Sequence, residues 1–123
     1  MKYYTEITTI GTEAWDLFTD QDTRSLILFG ASAPTELAEI SVLHRPAGLF
    51  APIAVGDTAV IGDKAFSVTA VGSEAMHTLQ ELGHCTLCFK GGKVPERPGC
   101  IMLEGDERLL RADLAAGKTI EFY

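Results

Sequence analysis

Basic residues are scarce in this chain. Ten Lys and Arg stand against 17 Asp and Glu, giving a formal net charge of -7 and a pI near 4.8. Neutralising a phosphate backbone takes clustered cations, so no nucleic-acid partner is expected. An anionic membrane surface is an equally poor partner. Long apolar runs are lacking too: none approaches the roughly 20 residues that span a bilayer, which excludes direct membrane insertion by a helix. Cysteine occurs three times (Cys85, Cys88, Cys100), an odd number without the spacing of a disulfide framework. Met1-Lys2-Tyr3-Tyr4 passes straight into a strand pattern, with no leader-like segment. These absences predict a soluble cytoplasmic protein with reduced thiols. Repeats, linkers and low-complexity tracts are also missing, and 123 residues with 46% apolar content suit one domain over 1–123.

What the chain does have is short alternating runs cut by glycine and proline. Residues 3–10 read as a strand stopped at Gly11, and 24–29 as a second ending at Gly30. Between them Trp15, Leu17 and Phe18 form either a helical turn or an irregular cover over a barrel end. A helical turn is expected over 32–38, with Ser32 as cap, Pro34 in the first turn and Glu36 at the positive end. Gly62-Asp63 separates two alternating runs and predicts a hairpin. The best helix is 73–82, capped by Ser73, burying Ala75, Leu79 and Leu82, and ended by Gly83. Strands are expected over 84–89, 100–104 and 118–123. The predicted class is mostly β: a small single-domain barrel or barrel-like sandwich of short strands.

The most suggestive stretch is 39–50. A strand-like run, Ile40-Ser41-Val42-Leu43, delivers His44 to the point where Arg45-Pro46 and Gly48 should bend the chain out of the sheet. The imidazole tip would then face outward, although strand-end histidines are more often plain structural residues. Rival features are weaker. Cys85 and Cys88, three apart in a strand, point to opposite faces and follow a helix C-terminus, the wrong end to stabilise a thiolate. Adding His84 makes no zinc site, for lack of a second ligand pair. Gly91-Gly92-Lys93 is too short to cradle a phosphate, and Lys90, Lys93 and Arg97 read as a solvated hairpin tip. His77 lies off the apolar face of its helix. His84, just after Gly83, is placed so that its imidazole can satisfy carbonyls of the helix end.

Taken in order, a further set of segments carries more weight than any one of them. Thr8-Thr9-Ile10-Gly11, Gly30-Ala31-Ser32-Ala33-Pro34, Val42-Leu43-His44, Gly56-Asp57, Val68-Thr69-Ala70-Val71-Gly72-Ser73, Glu81-Leu82-Gly83-His84 and Pro98-Gly99 recur at the right spacing. Through them the chain resembles the glucitol/sorbitol-specific enzyme IIA component of the bacterial phosphoenolpyruvate-dependent sugar phosphotransferase system, over nearly its whole length. The resemblance implies a phosphoryl carrier. It would accept a phosphoryl group from the phosphocarrier protein HPr on His44 and pass it to a cysteine of the IIB part of a hexitol transporter. Arg45-Pro46 departs from the small or polar residues expected after the histidine.

A nucleophilic imidazole must be neutral, with one nitrogen free and the other's proton held by an acceptor. The expectation is attack by the distal nitrogen, with no metal, nucleotide or other cofactor required. Backbone N–H groups of Ala47, Gly48 and Leu49, the His84 side chain and Arg45 are candidate phosphoryl contacts. Leu43, Leu49, Phe50 and Ile53 are candidate docking contacts, some of which must belong to the core. The alternative is a non-catalytic β-barrel module that binds a small ligand or protein. Oligomeric state, a homo-oligomer included, is not legible.

Overall fold

The computed structural model describes residues 1–123, with side chains at every position except 46 and 47. Eight strands close into a barrel: β1 (Tyr3–Ile10), β2 (Ser25–Gly30), β3 (Ser41–Leu49), β4 (Thr58–Ile61), β5 (Lys64–Val71), β6 (Cys85–Cys88), β7 (Cys100–Glu104) and β8 (Thr119–Phe122). Around the barrel the order is β1-β3-β2-β6-β7-β5-β4-β8. Two pairs, β2 with β3 and β6 with β7, are parallel; the others are antiparallel. Closure gives every strand a neighbour on both sides over at least part of its length, which reduces the aggregation hazard of an open sheet.

Alternation places one apolar set inside. Tyr3, Ile7, Leu26, Leu28, Val42, Leu87, Ile101, Leu103 and Ile120 are all buried there. Cys85 joins this set, whereas Cys88 packs with Ala70, Cys100 and Met102 in a separate cluster. The two sulfurs of the Cys-x-x-Cys run therefore face opposite ways, and all three thiols are free and buried.

Short helices close the ends. The first, α1 (Ala14–Thr19), is the expected cover, with Ala14 and Phe18 buried. The second, α2 (Thr35–Ala38), carries the chain between parallel β2 and β3; Pro34 rather than Ser32 precedes it, and no side chain caps it. The third, α3 (Ala75–Leu82), begins after Glu74, so Ser73 is not its cap. Ala75 and Leu79 pack inward as expected, but Leu82 is 55% exposed, because the chain turns off the helix there. Gly83 makes that turn with φ +65, the left-handed conformation that glycine adopts without a Cβ clash.

β3 corrects one expectation. The chain does not leave the sheet after His44; it stays paired with β1 through Leu49. What ends at His44 is the pairing with β2, whose last residue, Gly30, lies beside it. Beyond that point β3 has one neighbour only, a place where proline's missing N–H is tolerated.

Candidate functional site

His44 sits on the inner face of β3, two residues after Val42 and opposite Ile7 of β1. Its tip does not face solvent: the side chain is wholly buried. This reverses the expected orientation, and register is the reason. Val42 must point into the core, so His44, two residues on, points inward as well.

Both ring nitrogens are engaged. Nδ1 lies 2.6 Å from the Thr5 hydroxyl, and Nε2 lies 2.6 Å from the Gly83 carbonyl oxygen. A carbonyl can only accept, so Nε2 carries the proton and donates to Gly83. The lone pair is then on Nδ1, where the Thr5 hydroxyl donates to it. Burial pushes the His44 pKa down, and the bond to Gly83, which favours the charged ring, offsets this only in part. The imidazole is therefore neutral at pH 7.

Two glycines make this approach feasible. A Cβ on Gly83 would come within 3.1 Å of the Gly30 backbone and 3.3 Å of His44 Nε2. A Cβ on Gly30 would meet the Leu82 carbonyl at 2.9 Å. Without side chains, the end of α3 lies directly on the end of β2 and drops one carbonyl onto the ring. Thr5 is placed by its own strand: Tyr3, Thr5 and Ile7 alternate inward, making Thr5 the polar member of an apolar set.

His84 is near this segment but plays a different part from the one expected. The helix-end carbonyls of Thr78 and Leu79 are taken by the backbone N–H groups of His84 and Gly83, not by the imidazole. The half-buried His84 ring instead packs against Phe29, with centroids 4.8 Å apart. Its Nδ1 is buried without a hydrogen-bond partner among the described residues.

The other candidates do not converge on the ring. Arg45 points to the outer face, its guanidinium exposed and 4.0 Å from Glu6. Gly48 and Leu49 pair with Tyr4 and Tyr3 of β1, roughly 13 Å or more along the strand from His44. Ala47, like Pro46, lies outside the residues whose side chains are described. Among the docking candidates, Ile53 is buried in the core, Leu43 is buried outside the core clusters, Leu49 is half-buried, and Phe50 is 65% exposed. Thr5 and Gly83 were missed as site residues. The signal available for Thr5 was a polar residue at an inward position of an alternating strand.

Comparison with known proteins resolves the family. Residues 2–121 match the family described as PTS system glucitol/sorbitol-specific IIA component. The chain belongs to that family. It is 38% identical over 120 residues to the glucitol/sorbitol-specific EIIA components of Shigella flexneri and Escherichia coli K12, covering 98% of this chain and 93% of each relative. A solved structure, the PTS system IIA component from Enterococcus faecalis V583, superposes with a TM-score of 0.75 at 28% identity, covering 97% of this chain and 98% of that one. This IIA component is thus a member of a phosphotransferase family built as a closed barrel. No helix of the described residues is long and apolar enough to cross a membrane.

Proposed function

We propose that this IIA component carries a phosphoryl group on His44, taking it from phospho-HPr and passing it to a cysteine of the IIB part of a glucitol/sorbitol transporter. The observation that carries this reading is the His44 ring itself, a neutral imidazole held by Thr5 on one nitrogen and by the carbonyl at the end of α3 on the other.

The two partners are not equivalent. Gly83 offers only an acceptor, so while its bond stands Nε2 keeps its proton and is no nucleophile. The Thr5 hydroxyl can donate or accept. Once the Gly83 carbonyl withdraws, the proton moves to Nδ1, Thr5 accepts it, and the Nε2 lone pair is freed. Nε2 then attacks the phosphorus in line. The new N–P bond forms as the donor's N–P bond breaks, and the donor imidazole leaves as a neutral ring.

A phosphoryl on Nε2 would occupy the place of the Gly83 carbonyl, and an acceptor there would repel it. The closed arrangement is therefore the resting state, and the end of α3 must lift for the group to enter. The unpartnered His84 Nδ1 travels with that segment and is a candidate contact for the phosphoryl oxygens. Phe50 and Arg45, both exposed on the outer side of β3 and its end, are candidate contacts for the two protein partners.

Incubation with phosphoenolpyruvate, enzyme I and HPr tests this. The protein should gain one phosphoryl group, labile in acid and stable in base. His44→Ala should gain none; full labelling of that variant overturns the assignment. A folded wild-type protein that gains nothing would favour a non-catalytic binding module.

A further inference from the structure

A cleft lies at the other end of the barrel. Arg24 and Phe89 flank the β2–β6 pair at one end, whereas Gly30 and Gly83 flank it at the other, roughly 20 Å away along β2. Between α1 and the segment after β7 is a cleft of about 280 Å³. Its floor is aromatic: Trp15 and Phe18 stack at 4.9 Å, and Phe89 meets Phe18 and Phe66 edge-on at 5.0 and 5.1 Å. Arg24 and Arg108 both line it, in a chain whose net charge is -7.

Arg24 holds an unusual backbone conformation at the wall of this cleft. It is the only non-glycine residue with positive φ among those described, at +45, a conformation that glycine adopts far more readily. Its N–H donates to the Asp20 carbonyl, and its carbonyl accepts from the Phe89 N–H, so the wall itself locks this backbone. The guanidinium carbon lies 4.9 Å from the centre of the Phe18 ring. Contact with an aromatic ring uses none of the guanidinium N–H donors, and no carboxylate among the described residues engages them. Arg108 is likewise without an ion pair among them. Two unpaired guanidinium groups match a dianion by forked hydrogen bonds. Thr19 and Glu107, also at the cleft, can take hydroxyl groups.

We propose that this cleft binds the phosphomonoester of a small polyol, its phosphate on Arg24 and Arg108 and its hydroxyls toward Thr19 and Glu107. The site is independent of the phosphoryl-carrier reading of His44. Trp15 is the sole tryptophan and lines the cleft, so its emission reports occupancy directly.

Titration of the whole protein with sorbitol 6-phosphate, glycerol 3-phosphate, sorbitol and inorganic phosphate tests the proposal. A saturable change in Trp15 emission is expected with the two phosphomonoesters. Sorbitol should give none, and inorganic phosphate should bind at least tenfold more weakly. Arg24→Gln and Arg108→Gln should each weaken binding at least tenfold, while His44→Ala binds as the parent does. No saturable change with either phosphomonoester overturns the proposal, as does unchanged binding in both arginine variants.

Discussion

The two ends of the barrel solve the same backbone problem in opposite ways. Each has a residue in the left-handed region beside the β2–β6 pair: Gly83 at one end, Arg24 at the other. At the His44 end the position is filled by glycine, which offers the ring only its backbone carbonyl. At the cleft end a long cation occupies a conformation that disfavours it. Glycine there would relieve the backbone but deliver no side chain. The contrast separates a position kept for close approach from one kept for the group it presents.

The largest effect should come from closing the gap at Gly83. In Gly83→Ala the Cβ meets the Gly30 backbone at 3.1 Å, in a conformation that costs an alanine about 1–2 kcal/mol by itself. A loss of about 2–3 kcal/mol in urea unfolding is expected, together with a displaced His44 contact visible as a shifted ring resonance. Stability equal to the parent would mean that the helix end does not rest on β2 as described.

Thr5→Val is smaller and more selective. It preserves shape and removes the hydroxyl, leaving His44 Nδ1 without a partner. A loss of about 1–2 kcal/mol should follow, with phosphoryl uptake from phospho-HPr slowed about tenfold or more. Thr5→Ser should recover most of the rate. If valine supports uptake at the parent rate, Thr5 has no part in setting the tautomer.

At the opposite end the effects are smaller. Arg24→Ala keeps the strained backbone and gives up the stacking on Phe18, so it should lose about 0.5–1 kcal/mol. Arg24→Gly loses the same stacking but relieves the backbone. The glycine variant should therefore be the more stable of the two, by about 1 kcal/mol. A more stable alanine variant would remove the argument from strain.

The smallest effect is in pH dependence. Because burial lowers the His44 pKa below its ordinary 6.5, the unfolded chain binds a proton that the folded one refuses. This contribution is fully present above about pH 6.5 and is lost as pH falls from there toward the lower folded value. His44→Gln should flatten that part of the stability profile. An unchanged slope between the two proteins would show that His44 is not held neutral.

Much of the architecture was legible from the residues. Alternation in 3–10 and 64–71, the Gly62-Asp63 turn and the Gly83 stop all stand where local rules put them, because strand faces and tight turns are settled by neighbours in sequence. The caps were not: Ser32 and Ser73 have the right chemistry, yet α2 and α3 start later, after Pro34 and Glu74. Leu82 fits the apolar spacing of α3 and is nevertheless exposed, at the last residue of the helix before the left-handed turn at Gly83.

The sequence by itself determined the family and the barrel of short strands, and it singled out His44 for the proposal. It could do so because ordered glycines, alternation and motif spacing are properties of one chain read end to end. Only the tertiary structure decided what surrounds that histidine. Thr5 is 39 residues before it and Gly83 39 residues after it; strand pairing brings the one, and packing of the end of α3 on β2 the other, to 2.6 Å from the ring. Closure of the barrel, not local preference, turned an imidazole expected at the surface into one sealed beneath a helix end.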